Sequence, residues 1–190
     1  MKLPLLLLTG LLCASLTACG GGGGNSGTAS GFNSTAFQGD WKRTDGTDTA
    51  CFNFPDYGGS FWGLNDKPTT ITETSITSTV TVFSDATCTT KVGLVVRTAS
   101  VTWSAGAVAG KTNVARVLMT TTAFTKSTDA SNPGNPGTGN FSGMTDPTLG
   151  VATKGLLAVD GSWLYVNPVG SPLDADGYPT TLMPSALYKR

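Results

Sequence analysis

The sequence predicts an all-β domain of about eight strands, preceded by an N-terminal export signal and a glycine-rich tether. Three observations lead to this fold class. Threonine is abundant, valine and aromatic residues recur along the domain, and Glu73 is the only glutamate, so strand-favouring residues outnumber strong helix formers. Several long segments alternate apolar residues with hydroxyl side chains. An Asp-Gly pair between two strand-like segments is typical of a β-hairpin.

Three long segments predict consecutive strands. Residues 69–83 alternate apolar and hydroxyl side chains around a break near Thr74, and residues 91–103 and 113–125 have the same strand character. Between the first two segments, Asp85-Ala86-Thr87 predicts a tight turn. These segments therefore favour an antiparallel arrangement with short connections.

The clearest hairpin signal lies in residues 154–166, where Asp160-Gly161 separates two strand-like runs. This pair predicts a type I′ turn, because both central residues of that turn have positive φ. The stretch 127–148 differs from the rest, since it is too rich in glycine, proline and asparagine for a strand. A loop of that length is either mobile or functional, and the composition favours mobility.

Composition excludes several classes of function. Basic and acidic residues number 12 each, and this neutral balance excludes the electrostatic footprint of a nucleic-acid-binding protein. Histidine is absent, which excludes His-based general bases, Ser-His-Asp or Cys-His nucleophiles and imidazole metal sites. The GxSxG, SxxK and GxxxxGK[ST] patterns are also missing. We therefore expect a non-enzymatic protein without a cofactor.

The N-terminal residues 1–18 have the features of a signal peptide. Lys2 precedes an apolar run over 3–12, which is too short to span a bilayer but has the length of a signal-peptide core. The sequence Leu16-Thr17-Ala18-Cys19 follows at the end of this run. It resembles the lipobox of bacterial lipoproteins, and the resemblance implies cleavage before Cys19 and acylation of its thiol and its new amino group.

Lipidation would determine where the protein is located. More than one acyl chain anchors a protein stably, so Cys19 would hold the chain on a membrane without a transmembrane helix. Gly20 stands where inner-membrane lipoproteins typically carry aspartate, so the resemblance implies the outer membrane of a bacterial envelope, facing the periplasm or the surface. Residues 19–35, rich in glycine, serine and asparagine, predict a flexible tether.

The remaining cysteines predict one disulfide. Cys13 leaves with the signal peptide and Cys19 carries lipid, which leaves Cys51 and Cys88 in an exported protein. The chain has no CxxC motif and no supporting metal ligand near them, so a structural bond is favoured over a redox or metal pair.

Five aromatic residues cluster within eleven positions around Gly58 and Gly59. A loop that carries rings can line the mouth of a cavity or form a partner-binding surface. Alternatively, the rings fill one end of a small barrel core. Both interpretations remain open for these candidate ligand-binding residues: Phe52, Phe54, Tyr57, Phe61 and Trp62.

Asp174 and Asp176 form the strongest pair of carboxylates. Aspartates in turns most often accept hydrogen bonds from their own backbone. The sequence Asp174-Ala-Asp176-Gly177 matches half of a calcium loop, but the third oxygen ligand and the distal glutamate are missing. We expect no metal site, with these two aspartates as the only alternative.

A short motif near the start of the domain indicates the type of barrel. Gly39-Asp40-Trp41 resembles the G-x-W of lipocalins and lipocalin-like barrels. The resemblance implies a small antiparallel, up-and-down barrel over residues 36–190, closed at one end by Trp41. It also implies a basic residue from the last strand over the indole ring, a role for Arg190 or Lys189. A second lipocalin motif and a helix before the final strand are missing from the pattern.

These observations lead to two expectations about function. The first is a membrane-anchored binding module whose barrel holds a small apolar ligand or a hydrophobic peptide. The alternative is a structural lipoprotein with a filled barrel whose loops bind another envelope protein. The inward side chains distinguish the two, because threonine, alanine and valine leave a cavity whereas phenylalanine, leucine and methionine fill it.

Overall fold

A computed structural model describes residues 33–44, 51–53, 60–128 and 137–190. Within these ranges the chain forms ten β-strands and one short 3₁₀ helix, Ser34–Phe37, and contains no α-helix. The strands are β1 Gly39–Arg43, β2 Phe52–Asn53, β3 Trp62–Leu64, β4 Thr69–Ile71, β5 Ser75–Phe83, β6 Lys91–Ala105, β7 Asn113–Ser127, β8 Ala152–Asp160, β9 Trp163–Val166 and β10 Tyr188–Lys189. The predicted signal peptide, Cys19 and most of the tether lie outside the described residues.

The ten strands form a closed antiparallel barrel with eight strand positions. Strands β3 and β4 both pair with β5, while β2 pairs with β3 and β1 with β4, so β1 and β2 share one position and β3 and β4 share the next. Strands β5 to β10 each pair with their neighbours in the chain, and β10 returns to β1 through the pairs Lys42–Lys189 and Arg43–Tyr188. The predicted all-β, up-and-down barrel is therefore confirmed.

Side chains alternate between the two faces of each strand, and this alternation determines which residues face the barrel interior. On β5 and β6, the pairs Ile76–Ala99, Ser78–Arg97 and Val80–Val95 lie on one face. Successive residues of a strand point to opposite faces, and this face is the interior because its side chains line the internal cavity.

Two apolar clusters occupy opposite ends of the interior. The lower cluster includes Phe37, Trp41 and Val117, with Trp103 packed against it. The upper cluster is built from the following residues: Phe61, Val82, Val92, Val95 and Met144, with Phe52, Val80, Phe124 and Phe141 packed against them. The lower cluster also reaches the middle of the barrel, because it includes Ile71, Leu157 and Leu164.

Strand β8 is buried on both faces. Five consecutive residues, Gly155 to Val159, are buried, which differs from the alternation expected of a half-exposed strand. Leu156 and Ala158 point outward and form a third cluster with Val114, against which Leu182 packs. The segment 167–187 between β9 and β10 therefore covers the outside of the barrel here.

The hairpin between β8 and β9 is present, but its turn differs by one residue from the prediction. Asp160 pairs with Trp163, so the two loop residues are Gly161 and Ser162. Only Gly161 has a positive φ, +58°, as in a type II′ turn with glycine first. The predicted type I′ turn at Asp160-Gly161 is wrong, because this register places the buried Val159 and Leu164 opposite each other on the inner face.

The predicted disulfide is confirmed. Cys51 and Cys88 are bonded with an S–S distance of 2.02 Å and a Cα–Cα distance of 5.6 Å. Cys88 lies in the loop between β5 and β6, so the bond ties this loop to the chain just before β2.

Candidate ligand cavity

The middle of the barrel contains an apolar chamber of about 190 Å³. Gly155 and Thr69 belong to its lining, and a Cβ at Gly155 would lie 3.0 Å from Val117 Cγ2 and 3.1 Å from Met119 Cε, so neighbouring side chains already pack against this glycine. Apolar residues form most of the remaining wall: Ile71, Ile76, Met119, Leu157, Leu164 and Val166. The interior is therefore filled at its lower end and hollow in its middle.

A second space, the polar chamber, lies next to the first and also measures about 190 Å³. Both chambers share Thr69 and Tyr188 as lining residues. The polar chamber is also lined by Arg43, Asn65 and Arg97. A cavity with an apolar end and a cationic end can accept a ligand that has both characters.

A smaller space of about 70 Å³ adjoins both chambers. It shares Ile76 and Met119 with the apolar chamber, and Ser78 and Arg97 with the polar chamber. The three spaces are thus neighbours along the inside of β5 and β6. Together they reach the size range of roughly 300–1,000 Å³ that is usual for small-molecule pockets.

Arg97 brings a charge to the barrel interior. It lies between the buried Val95 and Ala99 on the inner face of β6, and its Nε and Nη2 donate to Thr121 Oγ1 at 3.0 and 2.7 Å. Among the described residues, no carboxylate lies within 4.0 Å of this guanidinium. A neutral hydroxyl is therefore the partner of this half-buried cation.

Asn65 is another lining residue of the same chamber. Its Nδ2 is buried and has no hydrogen-bond acceptor within the described part of the chain. Leaving a buried amide donor unpaired costs about 1–3 kcal/mol. Because this nitrogen has almost no accessible surface, the donors left for a ligand in the polar chamber are the remaining N–H groups of Arg97.

The lower end of the barrel is closed by Trp41. Its Nε1 donates to Phe37 O at 2.7 Å, and the guanidinium carbon of Arg190 lies 4.7 Å from its ring centroid. Arg190 Nη1 also donates to Gln38 O at 3.1 Å. Gly39 has a φ of +122°, a conformation that glycine adopts without strain, which explains the glycine of the G-x-W motif.

The predicted aromatic cluster divides between several places. Phe52 lines the polar chamber, whereas Phe61 is buried in the upper cluster. Trp62 is half-buried on β3, where it pairs with Phe83 of β5. Phe54 and Tyr57 lie outside the described residues.

The described part of the loop 127–148 packs against the upper end of the barrel. Phe141 and the buried Met144 belong to the upper cluster, and Gly139 N donates to Val92 O at 2.6 Å. Lys126 Nζ donates to the carbonyl oxygen of Met144 at 3.2 Å. Residues 137–148 thus differ from the mobile loop that their composition favours, because two apolar side chains bind them to the core.

Asp174 and Asp176 face an arginine. Arg116 pairs with both carboxylates at 2.5 and 3.3 Å, and Asp174 Oδ1 accepts hydrogen bonds from the backbone of Asp176 and Tyr178. Across the described ranges, no group of three or more cysteine, aspartate or glutamate residues is arranged to hold a metal ion.

Sequence reasoning missed Arg97, Asn65 and Arg43 as cavity residues. Arg97 lies two residues from both Val95 and Ala99, so the three side chains share one face of β6. This spacing indicates a cavity residue only once that face is known to be the inner one. Asn65 lies outside any regular strand, and the sequence carries no signal for its burial.

Comparisons with known proteins provide no relatives for this chain. No family model, no curated protein and no solved structure matches it. Among the described residues, no helix is long and apolar enough to cross a membrane.

Proposed function

We propose that this protein is an envelope lipoprotein, anchored through Cys19 and acting as a non-enzymatic carrier or binding module for a small apolar ligand. The observation that supports the proposal is the apolar chamber between two filled ends of the barrel. Burial of an alkyl chain there would gain about 25 cal/mol for each Å² of apolar surface removed from water.

The alternative is a structural lipoprotein whose outer surface binds another envelope protein. Exposed apolar residues in the segments around β8 and after β9 favour it, namely Leu149, Val151, Val169 and Leu173. This alternative needs no open interior, so an experiment on the chamber distinguishes the two functions.

Native mass spectrometry of the purified full chain after incubation with hexadecanol tests the proposal. We expect a mass adduct on the folded protein that is lost on denaturation. Ile76→Phe adds volume inside the apolar chamber and should abolish the adduct, whereas the matched Ile76→Val should keep it. A wild-type protein without any adduct, or an adduct that Ile76→Phe leaves unchanged, would refute the binding function and favour the structural alternative.

A further inference from the structure

We infer that the ligand is an anionic amphiphile, with an alkyl chain in the apolar chamber and a carboxylate in the polar chamber. This inference rests on the proposed function and extends it to a ligand class. It depends on the charge, the donors and the arrangement of the two chambers.

The charge of the polar chamber is positive. Arg97 lines it with no carboxylate of the described residues within 4.0 Å of its guanidinium, and the described lining contains no aspartate or glutamate. A buried charge is costly unless it is paired, and Thr121 offers Arg97 a neutral oxygen. A carboxylate in the chamber would supply the missing negative charge.

The hydrogen-bond donors point to the same chemistry. A guanidinium has five N–H donors, and Thr121 Oγ1 accepts from two of the nitrogens of Arg97. A carboxylate only accepts hydrogen bonds, so it matches this excess of donors, and arginine can bind it in a bidentate manner.

The position of the apolar chamber determines where the rest of the ligand lies. Ile76 and Met119 line both the apolar chamber and the small space that reaches Arg97. An unbranched chain attached to the carboxylate would pass Ser78 and Ala99 and end against Ile71 and Leu157. A long-chain fatty acid has this combination of a single charge and an extended apolar tail.

Two matched photoreactive probes test the inference on the purified full chain. One is palmitic acid with a diazirine in its chain, and the other is hexadecanol with the diazirine at the same carbon. Labelling is measured by mass as a function of probe concentration, and peptide mapping locates the labelled residues. We expect the acid to label the chamber residues at about 10- to 100-fold lower concentration than the alcohol, since hydrogen bonds to a charged group strengthen binding by that order.

Three variants assign this difference to Arg97. Arg97→Gln should weaken labelling by the acid to the level of the alcohol, and Arg97→Lys should retain part of the preference. Lys42→Gln removes an exposed charge from the outer face of β1 and should change neither probe. Thermal unfolding of each variant checks its fold, and the comparison of the two probes on the wild-type protein does not depend on any variant.

The outcomes separate this inference from the proposed function. Equal labelling of wild-type chamber residues by acid and alcohol would overturn the anionic ligand and leave the apolar carrier in place. Acid labelling that is unaffected by Arg97→Gln would also overturn it. Labelling of chamber residues by neither probe would overturn both proposals.

Discussion

Asp85 shows how one side chain organises a turn. Its carboxylate accepts hydrogen bonds from the backbone of Thr87, Thr89 and Thr90 and from the hydroxyls of Thr87 and Thr89. The hydroxyl of Thr87, followed by the backbone of Thr90, lowers the pKa of Asp85 well below its usual range. The turn that the sequence predicts at this position therefore depends on an ionised carboxylate.

This pKa shift predicts a dependence of stability on pH. A carboxylate whose pKa is lower in the folded state stabilises the fold above its unfolded pKa of about 3.9, and the stabilisation is lost as the pH falls towards the folded pKa. We expect Asp85→Asn to be less stable than the wild-type protein at pH 7, with a difference that shrinks below about pH 4. Urea unfolding across this range measures it.

Glu73→Gln is the matched control for this experiment. Glu73 is an exposed carboxylate whose side chain makes no hydrogen bond or ion pair within the described part of the chain. Its replacement should therefore change the free energy of unfolding by the same amount at pH 7 and at pH 3. A constant difference between Asp85→Asn and the wild-type protein from pH 7 to pH 3 would contradict the role of the Asp85 carboxylate.

Individual residues differ in how far the sequence reveals them. Gly39 and Trp41 form a motif with fixed spacing, and closure of the barrel brings Arg190 to the indole ring. Arg97 has no motif, and its importance arises from facing the interior without a carboxylate partner. That property depends on strand register and on side chains far away in the sequence, which no local pattern contains.

At the scale of elements, the sequence predicts the strands better than their ends. The β8–β9 hairpin is predicted correctly, but the preference of Asp-Gly for a type I′ turn yields to the register of the inner face. Pairing Val159 with Leu164 buries both side chains, and glycine at the first loop position of Gly161-Ser162 suits the type II′ turn that this register requires. The double burial of β8 was also beyond prediction, because it depends on the irregular segment 167–187.

The disulfide is the element-scale feature with the clearest energetic effect. A cross-link between residues 37 apart removes entropy from the unfolded chain, which corresponds to about 4 kcal/mol in the chain-entropy model. We expect the double variant Cys51→Ser, Cys88→Ser to lose about this much free energy of unfolding in urea. Dithiothreitol should destabilise the wild-type protein equally and leave the variant unchanged; a variant as stable as the oxidised wild type would contradict the prediction.

At the scale of the whole molecule, the size of inward side chains divides the barrel. Phe37, Trp41 and Trp103 fill the lower end, and Phe61 with Met144 occupies the upper end. Between them lies the apolar chamber, whose lining includes Ile76, Met119 and Leu157. The strand count, together with the resemblance of the Gly39-Asp40-Trp41 motif to that of lipocalins, predicts a barrel of about eight strands. Whether this barrel is hollow depends on which residues face inward, and that is determined by the strand register of the folded structure.

If the apolar chamber receives a ligand, the methyl groups of the methionine side chains report on its binding directly. Met119 lines the apolar chamber, whereas Met183 lies in the segment that covers the outside of the barrel. In the full chain labelled with ¹³C-methyl methionine, we expect titration with hexadecanol to shift the NMR signal of Met119 and to leave that of Met183 in place. A Met119 signal that does not move, or that moves no more than the Met183 signal, would contradict the account.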